Sequence, residues 1–317
     1  MTSASNLHLF CLSIFKTYGS PDMASEEQKA DEFRSIFLQD LPVNATTVRA
    51  VALACGANTW ARRMPKNLRG YHEMVDGRMS IYYRDDDCAS GVENTILHEI
   101  REMMEPIFVE LSPSYQPLRT IALHQAANRF AAAVLLPREP FREKVYETGL
   151  DLIALRELYR KSYTQLLIRM GEVLQGDLFF YGALYELAPQ PNSLEPRLAV
   201  TCWAHSVNER DPWANFEGSL SLFARRGHPV VPHTPVGEAV RQRRSQIAER
   251  IRTSEEAEND LTAIAQPVLL EEEVIKAALV VVLHQDSEVL LPQITRTRPT
   301  CMEAFPRACE VDKESVG

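Results

Sequence analysis

Residues 95–105, Thr-Ile-Leu-His-Glu-Ile-Arg-Glu-Met-Met-Glu, constrain this chain more than any other stretch, because they put three metal-competent side chains on little more than one helical turn. Positions i and i+4 of a helix share a face, so His98 and Glu102 can point at one cation while Glu99, about 100° around the axis, sits beside it. Ser90, with Glu93 three residues on, marks a capping-box start for this helix, and Pro106 marks its expected end. The pattern is incomplete by itself. A catalytic zinc takes three protein ligands and keeps a fourth position open, so a further ligand must come from elsewhere in the chain.

At 317 residues, with 45% hydrophobic and 24% charged residues, the chain has material for two or three domains with their own cores. Its formal net charge of −9 opposes broad phosphate-driven association, so direct DNA binding is not expected. The six cysteines, at positions 11, 55, 88, 202, 301 and 308, form no C-x-x-C pair and announce neither a disulfide scaffold nor a zinc ribbon, which fits a reducing cytoplasm. Residues 7–15 are apolar, but the run is short, lacks a basic lead and is followed by Lys16 rather than a small-residue cleavage site, so it reads as packed structure. No stretch approaches the roughly 20 apolar residues of a membrane span.

Before the 95–105 helix, apolar residues recur at helical spacing over 25–41, with Ser25 as the start, and a second helix is expected over 46–55 with Gly56 as its stop. Residues 58–64, 70–74 and 78–84 read as three antiparallel strands, the last two joined by the hairpin signal Asp76-Gly77. Residues 106–119, with three prolines, read as a loop, and an alanine-rich helix follows over 120–136, closed by Pro137. Pro137 and Pro140 mark a joint. Residues 151–159 and 163–174 form a helix-turn-helix shape, for which a plain helical hairpin is the preferred reading. Beyond Gly176 come strands over 178–187 and 197–204 with a proline-rich loop at 189–196, a loop at 229–235, a helix over 236–252, and a closing strand pair at 267–270 and 274–283. The unbroken run Ala277-Ala-Leu-Val-Val-Val-Leu283 is typical of a central strand buried on both faces. The polar tail from 292 is expected to be poorly ordered at its end.

The 98–102 pattern resembles the H-E-x-x-H helix of the zincins, with Glu102 where those have a second histidine. The following helix reads His124-Gln-Ala-Ala-Asn-Arg-Phe-Ala-Ala-Ala-Val-Leu-Leu-Pro137. Here the chain resembles the ImmA/IrrE metallopeptidases, whose second helix has the form E-x-x-A-N-x-F-A-x-x-L-L-x-P with the glutamate as a ligand. Ala127, Asn128, Phe130, Ala131, Leu135 and Pro137 match or nearly match that form, and His124 falls on the glutamate's position. Both departures compensate each other: the ligand set stays two histidines and one carboxylate, His98, Glu102 and His124, with the helices exchanged. The alternative is a decayed site in which Glu102 and His124 are unrelated.

The resemblance covers roughly residues 25–140 and implies an α+β protein with a zincin-like metallopeptidase domain over 1–140, a helix-turn-helix-like segment over 141–176, a GAF-like sensor domain over 177–291 and a tail over 292–317. Thr234-Pro-Val-Gly-Glu-Ala-Val-Arg-Gln-Arg-Arg-Ser and Ile264-Ala-Gln-Pro-Val-Leu-Leu carry the likeness to a GAF domain, which makes that domain a candidate binder of a small molecule. The implied activity is a cytoplasmic, zinc-dependent endopeptidase, with Mn2+ or Fe2+ as alternatives for the same donors, that cleaves a helix-turn-helix repressor of the XRE type in a stress or induction response. Glu99 is the expected general base. Candidate substrate or oxyanion contacts are His72, Tyr115 and Arg101, although for each of them a structural role is the preferred reading. The runner-up function is a non-catalytic ligand sensor or transcriptional regulator that keeps the peptidase domain as a scaffold.

Overall fold

A computed structural model describes residues 6–39, 41–190, 193–206, 223, 226–251, 260–271, 273–287, 290 and 301–302. The chain is an α+β protein that divides into two compact units, Met1–Arg138 and Glu139–Gly317. Of the expected tail from 292, all but Cys301–Met302 lies outside the described residues.

In the first unit, helices α1 (Asn6–Tyr18), α2 (Glu26–Phe33) and α3 (Ala45–Ala54) precede strands β1 (Ala57–Arg62), β2 (Gly70–Val75) and β3 (Arg78–Arg84), and α4 (Ala89–Leu111) and α5 (Thr120–Leu135) follow. The apolar run at the start is the buried face of α1, through Leu7, Phe10, Cys11 and Ile14. Ser25 starts α2 with a reciprocal cap, its hydroxyl accepting from the Gln28 amide and its own amide donating to the Gln28 side chain. A π-turn over 34–38 extends that helix, anchored where Arg34 Nη1 donates to the Val134 carbonyl at 2.5 Å. Phe33 packs between Phe10 and Phe130 with ring centroids 5.5 and 5.3 Å away. On α5 the buried Ala126, Ala127, Ala131 and Ala133 keep side-chain bulk out of the helix packing, and α4 and α5 lie against each other.

Three local expectations are corrected. The three strands are not all antiparallel: their order is β1-β3-β2, with β1 parallel to β3 and only β2 antiparallel to it. The centre goes to the strand with most to bury, since β3 carries the buried Ser80, Ile81 and Tyr83 while Trp60 and Met74 on its neighbours are exposed. Helix α4 does not stop before Pro106 but runs through it to Leu111. Pro106 is exposed, so its ring meets no packed neighbour layer, while the buried Met103, Met104 and Phe108 anchor the helix on both sides of it. Ser90 is not the cap either: Cys88 holds that position without a side-chain bond, and its Sγ lies 3.3 Å from Ser90 Oγ in the first turn.

In the second unit, α6 (Arg138–Glu147), α7 (Leu152–Tyr159) and α8 (Tyr163–Val173) lead into β4 (Phe180–Gln190), β5 (Ser193–His205), α9 (Pro235–Gln242), β6 (Gln246–Ile251), β7 (Leu261–Leu270), β8 (Glu273–Leu283) and β9 (Cys301–Met302). The strands form one sheet in the order β5-β4-β8-β7-β6-β9, and the Val-rich β8 lies inside it with residues 277–282 buried. Helix α6 was not foreseen; it forms where only a proline joint was expected. Asp151 caps α7, Arg160 turns the chain in the left-handed region at φ 54°, and Ser162 caps α8. Helix α8 buries Leu166, Leu167, Met170 and Val173 and packs on β4 and β5, so it is a core helix and not a free recognition helix. Gly182 permits this: a Cβ there would come within 2.4 Å of Leu167 Cδ1.

The expected loop over 189–196 is mostly strand, since β4 runs to Gln190 and β5 starts at Ser193. The expected helix over 236–252 ends at Gln242, where Arg243 takes φ 54°, and β6 follows. The spacing of Ile247, Ala248 and Ile251 suits a helix as well as a strand, and pairing with β7 decides it. Strand β7 begins at Leu261, ahead of the expected 267. Pro267 is tolerated because it lies beyond the last β6 pair, Gln246 with Ala265.

Candidate metal centre

Helices α4 and α5 each present an i,i+4 pair to the other: His98 and Glu102 from α4, His124 and Asn128 from α5. His98 Nε2 lies 3.1 Å from Glu102 Oε1 and 3.3 Å from His124 Nδ1, and His124 Nδ1 lies 2.6 Å from the same carboxylate oxygen. The two imidazoles stack at 5.5 Å between centroids. A tetrahedral cation with bonds near 2.0–2.1 Å separates its ligand atoms by roughly 3.3 Å. Two edges of the observed triangle are close to that value, and the third opens by rotation of His124, whose side chain is 55% exposed. The donor set therefore fits a borderline divalent cation.

Asn128 completes the geometry. Its Oδ1 lies 3.0 Å from His98 Nδ1, and because an amide oxygen accepts, this contact favours the proton on Nδ1 and turns the Nε2 lone pair toward Glu102 and His124. Burial opposes a charged His98, but the Glu102 hydrogen bond, the charges of Glu99 and Glu102 and the Asn128 contact outweigh it and raise its pKa. Burial likewise favours a neutral Glu102, yet the hydrogen bond and charge of His98, with the charges of His124 and His72, hold its carboxyl below the ordinary range. Both shifts favour the charged forms of His98 and Glu102 where no cation is held.

Glu99 sits beside this group, its side chain 7% exposed, and its Oε2 lies 2.7 Å from Nδ1 of His72 on β2. Gly70 makes that approach possible: a Cβ there would come within 2.2 Å of Thr95 Cγ2 and 2.7 Å of the Tyr82 carbonyl, so β2 lies directly on α4. Ligand atoms of His72, Glu99 and Glu102 all lie within 4.8 Å of one another, as do those of His98, Glu102 and His124.

Arg101 and Tyr115 are placed elsewhere. Arg101 is fully buried, donating from Nε and Nη2 to Glu26 at 2.7 and 2.9 Å and from Nη1 to Glu105 at 3.1 Å. The Tyr115 hydroxyl donates to Glu105 Oε1 at 2.8 Å, and the Leu118 amide donates to the same oxygen at 2.7 Å. Their hydrogen-bond donors are committed inside the fold. Sequence reasoning missed the role of Asn128, although it lies four residues after His124 on one helix face, and the His72–Glu99 contact, for which Gly70 was the available signal.

No family model and no curated protein matches the sequence. Among solved structures, the chain is similar to a Mycobacterium tuberculosis transcriptional regulator, with a TM-score of 0.54 at 11% identity over 92% of this chain and 84% of that one. At such identity the likeness shows the fold alone. Among the described residues no helix is long and apolar enough to cross a membrane.

Proposed function

We propose that this chain is a regulatory metallopeptidase. The observation that carries the reading is the convergence of His98 Nε2, Glu102 Oε1 and His124 Nδ1 within 3.3 Å of one another, with Asn128 behind His98. A cation held by these three, zinc first and manganese or iron(II) as alternatives, supplies Lewis acidity at a scissile carbonyl. Glu99 takes the proton of the attacking water and returns it to the leaving amine, and His72 fixes its carboxylate through Oε2. The sequence resemblance implies a cytoplasmic enzyme whose substrate is an XRE-type repressor. The structural neighbour is a transcriptional regulator, which supports the regulatory half of that reading. For the second unit we propose small-molecule sensing; a cavity of about 600 Å3 bounded by Val230, His233, Gly237 and Val240 offers a place.

The same neighbour favours a second reading, a transcriptional regulator that binds the cation without cleaving anything. Coexpression with an XRE-type repressor separates the two. The peptidase reading expects cleavage that is lost in Glu99→Gln, while that variant still takes up cation; cleavage that survives Glu99→Gln removes Glu99 from its role. Wild-type protein that binds cation and leaves every tested repressor intact favours the regulator.

A further inference from the structure

We propose that Glu102 is shared by two cation sites, and that His72 and Glu99 complete a second, weaker site beside the first. The two candidate ligand groups, His98–Glu102–His124 and His72–Glu99–Glu102, are separate except for Glu102. They come from different parts of the fold, since His124 arrives on α5 and His72 on β2. A carboxylate has two oxygens with lone pairs on each and can bridge two cations; a neutral imidazole has one lone pair and cannot. Glutamate at position 102 is therefore a ligand that two positions can share. Glu102 Oε1 touches both histidines of the first group, and its carboxylate also lies within 4.8 Å of the ligand atoms of His72 and Glu99, which are themselves 2.7 Å apart.

The second site is built and not merely adjacent. Gly70 has no side chain where a Cβ would collide with Thr95 and come within 3.7 Å of Glu99 Oε1, and this close strand–helix contact carries His72 onto Glu99. A second divalent ion enters against the charge of the first, so it binds at least roughly tenfold more weakly. It also engages the Glu99 carboxylate. On the peptidase reading above, its binding suppresses cleavage at high cation concentration, which makes the site regulatory.

Equilibrium dialysis of the full chain against increasing ZnCl2, with metal analysis and a thermal melt of every variant, tests this. Wild-type protein is expected to take one equivalent at low free zinc and a second at least about tenfold higher. His72→Ala is expected to lose only the second equivalent. Glu102→His, which keeps three ligands for the first ion but cannot bridge, is expected to do the same. Saturation of the folded wild type at one equivalent, or a second equivalent that survives both substitutions, overturns the shared site and leaves the first site standing. A wild type that binds none overturns both.

Discussion

Arg101 and His98 lie three residues apart on α4, and the clusters around them are finished to different degrees. Around Arg101, donors meet acceptors: the guanidinium lies on Glu26 and Glu105, and the remaining Glu105 oxygen takes the Tyr115 hydroxyl and the Leu118 amide. Around His98, acceptors converge on one another, with two imidazole nitrogens facing a single carboxylate oxygen and one imidazole more than half exposed. The first cluster needs nothing further, because each charge is paired in place and burial makes any vacancy costly. In the second, lone pairs point at a common place that a cation suits better than a shared proton. The helix is held by one cluster and offers the other.

Breaking the closed cluster has the largest expected effect. Arg101→Met leaves the buried Glu105 and the partly buried Glu26 without the guanidinium between them and is expected to cost about 3 kcal/mol of stability in urea denaturation; an unchanged midpoint would show that the cluster holds nothing. Gly70→Ala is next, at about 1–3 kcal/mol, because the added carbon forces β2 away from α4. In the same variant, cation binding at His72 is expected to weaken more than binding at His124. A smaller effect follows from pH. Burial alone would raise the Glu26 carboxyl, but hydrogen bonds and charge from Arg101 and Lys29 hold it below the ordinary range. Its folded pKa is thus lower than its unfolded one, so its stabilisation is complete above the ordinary carboxylate range and fades as pH falls through the folded value. Urea midpoints at successive pH values should fall on the acid side in the wild type and fall less steeply in Arg101→Met. His124→Ala is expected to change the midpoint least, within about 0.5 kcal/mol, since its side chain is largely exposed.

The open cluster has the opposite pH sign at His98. Its raised folded pKa means that the ion pair with Glu102 is complete below the ordinary histidine range and is lost as pH rises through the folded value. A cation competes with that proton, so uptake should rise with pH across the same interval.

Local signals made part of this legible. Ser25 at the start of α2, Asp76-Gly77 between β2 and β3, Pro137 after α5 and the Val-rich β8 are readable because the cause of each lies within a few residues. For His98 and Glu102 the i,i+4 spacing made a shared face readable for a similar reason, whereas His124 came from the resemblance of the second helix. What was not readable depends on partners distant in sequence. Residues 246–251 are strand because β7 lies beside them, β3 is central because β1 arrives parallel, and α4 continues past Pro106 because the core holds both of its halves. The partner of Arg101 is hidden for the same reason; nothing near it in sequence shows that Glu26, 75 residues earlier, takes its guanidinium.

The central claim is that lone pairs of His98, Glu102 and His124 converge to hold a cation. Titration of zinc into the purified full chain at neutral pH, alongside Glu102→Ala, tests it most directly. The account predicts a tight equivalent in the wild type that is lost in Glu102→Ala while the urea midpoint of the zinc-free variant stays near the wild-type value. Equal zinc uptake by the two proteins, or none by either, would contradict it.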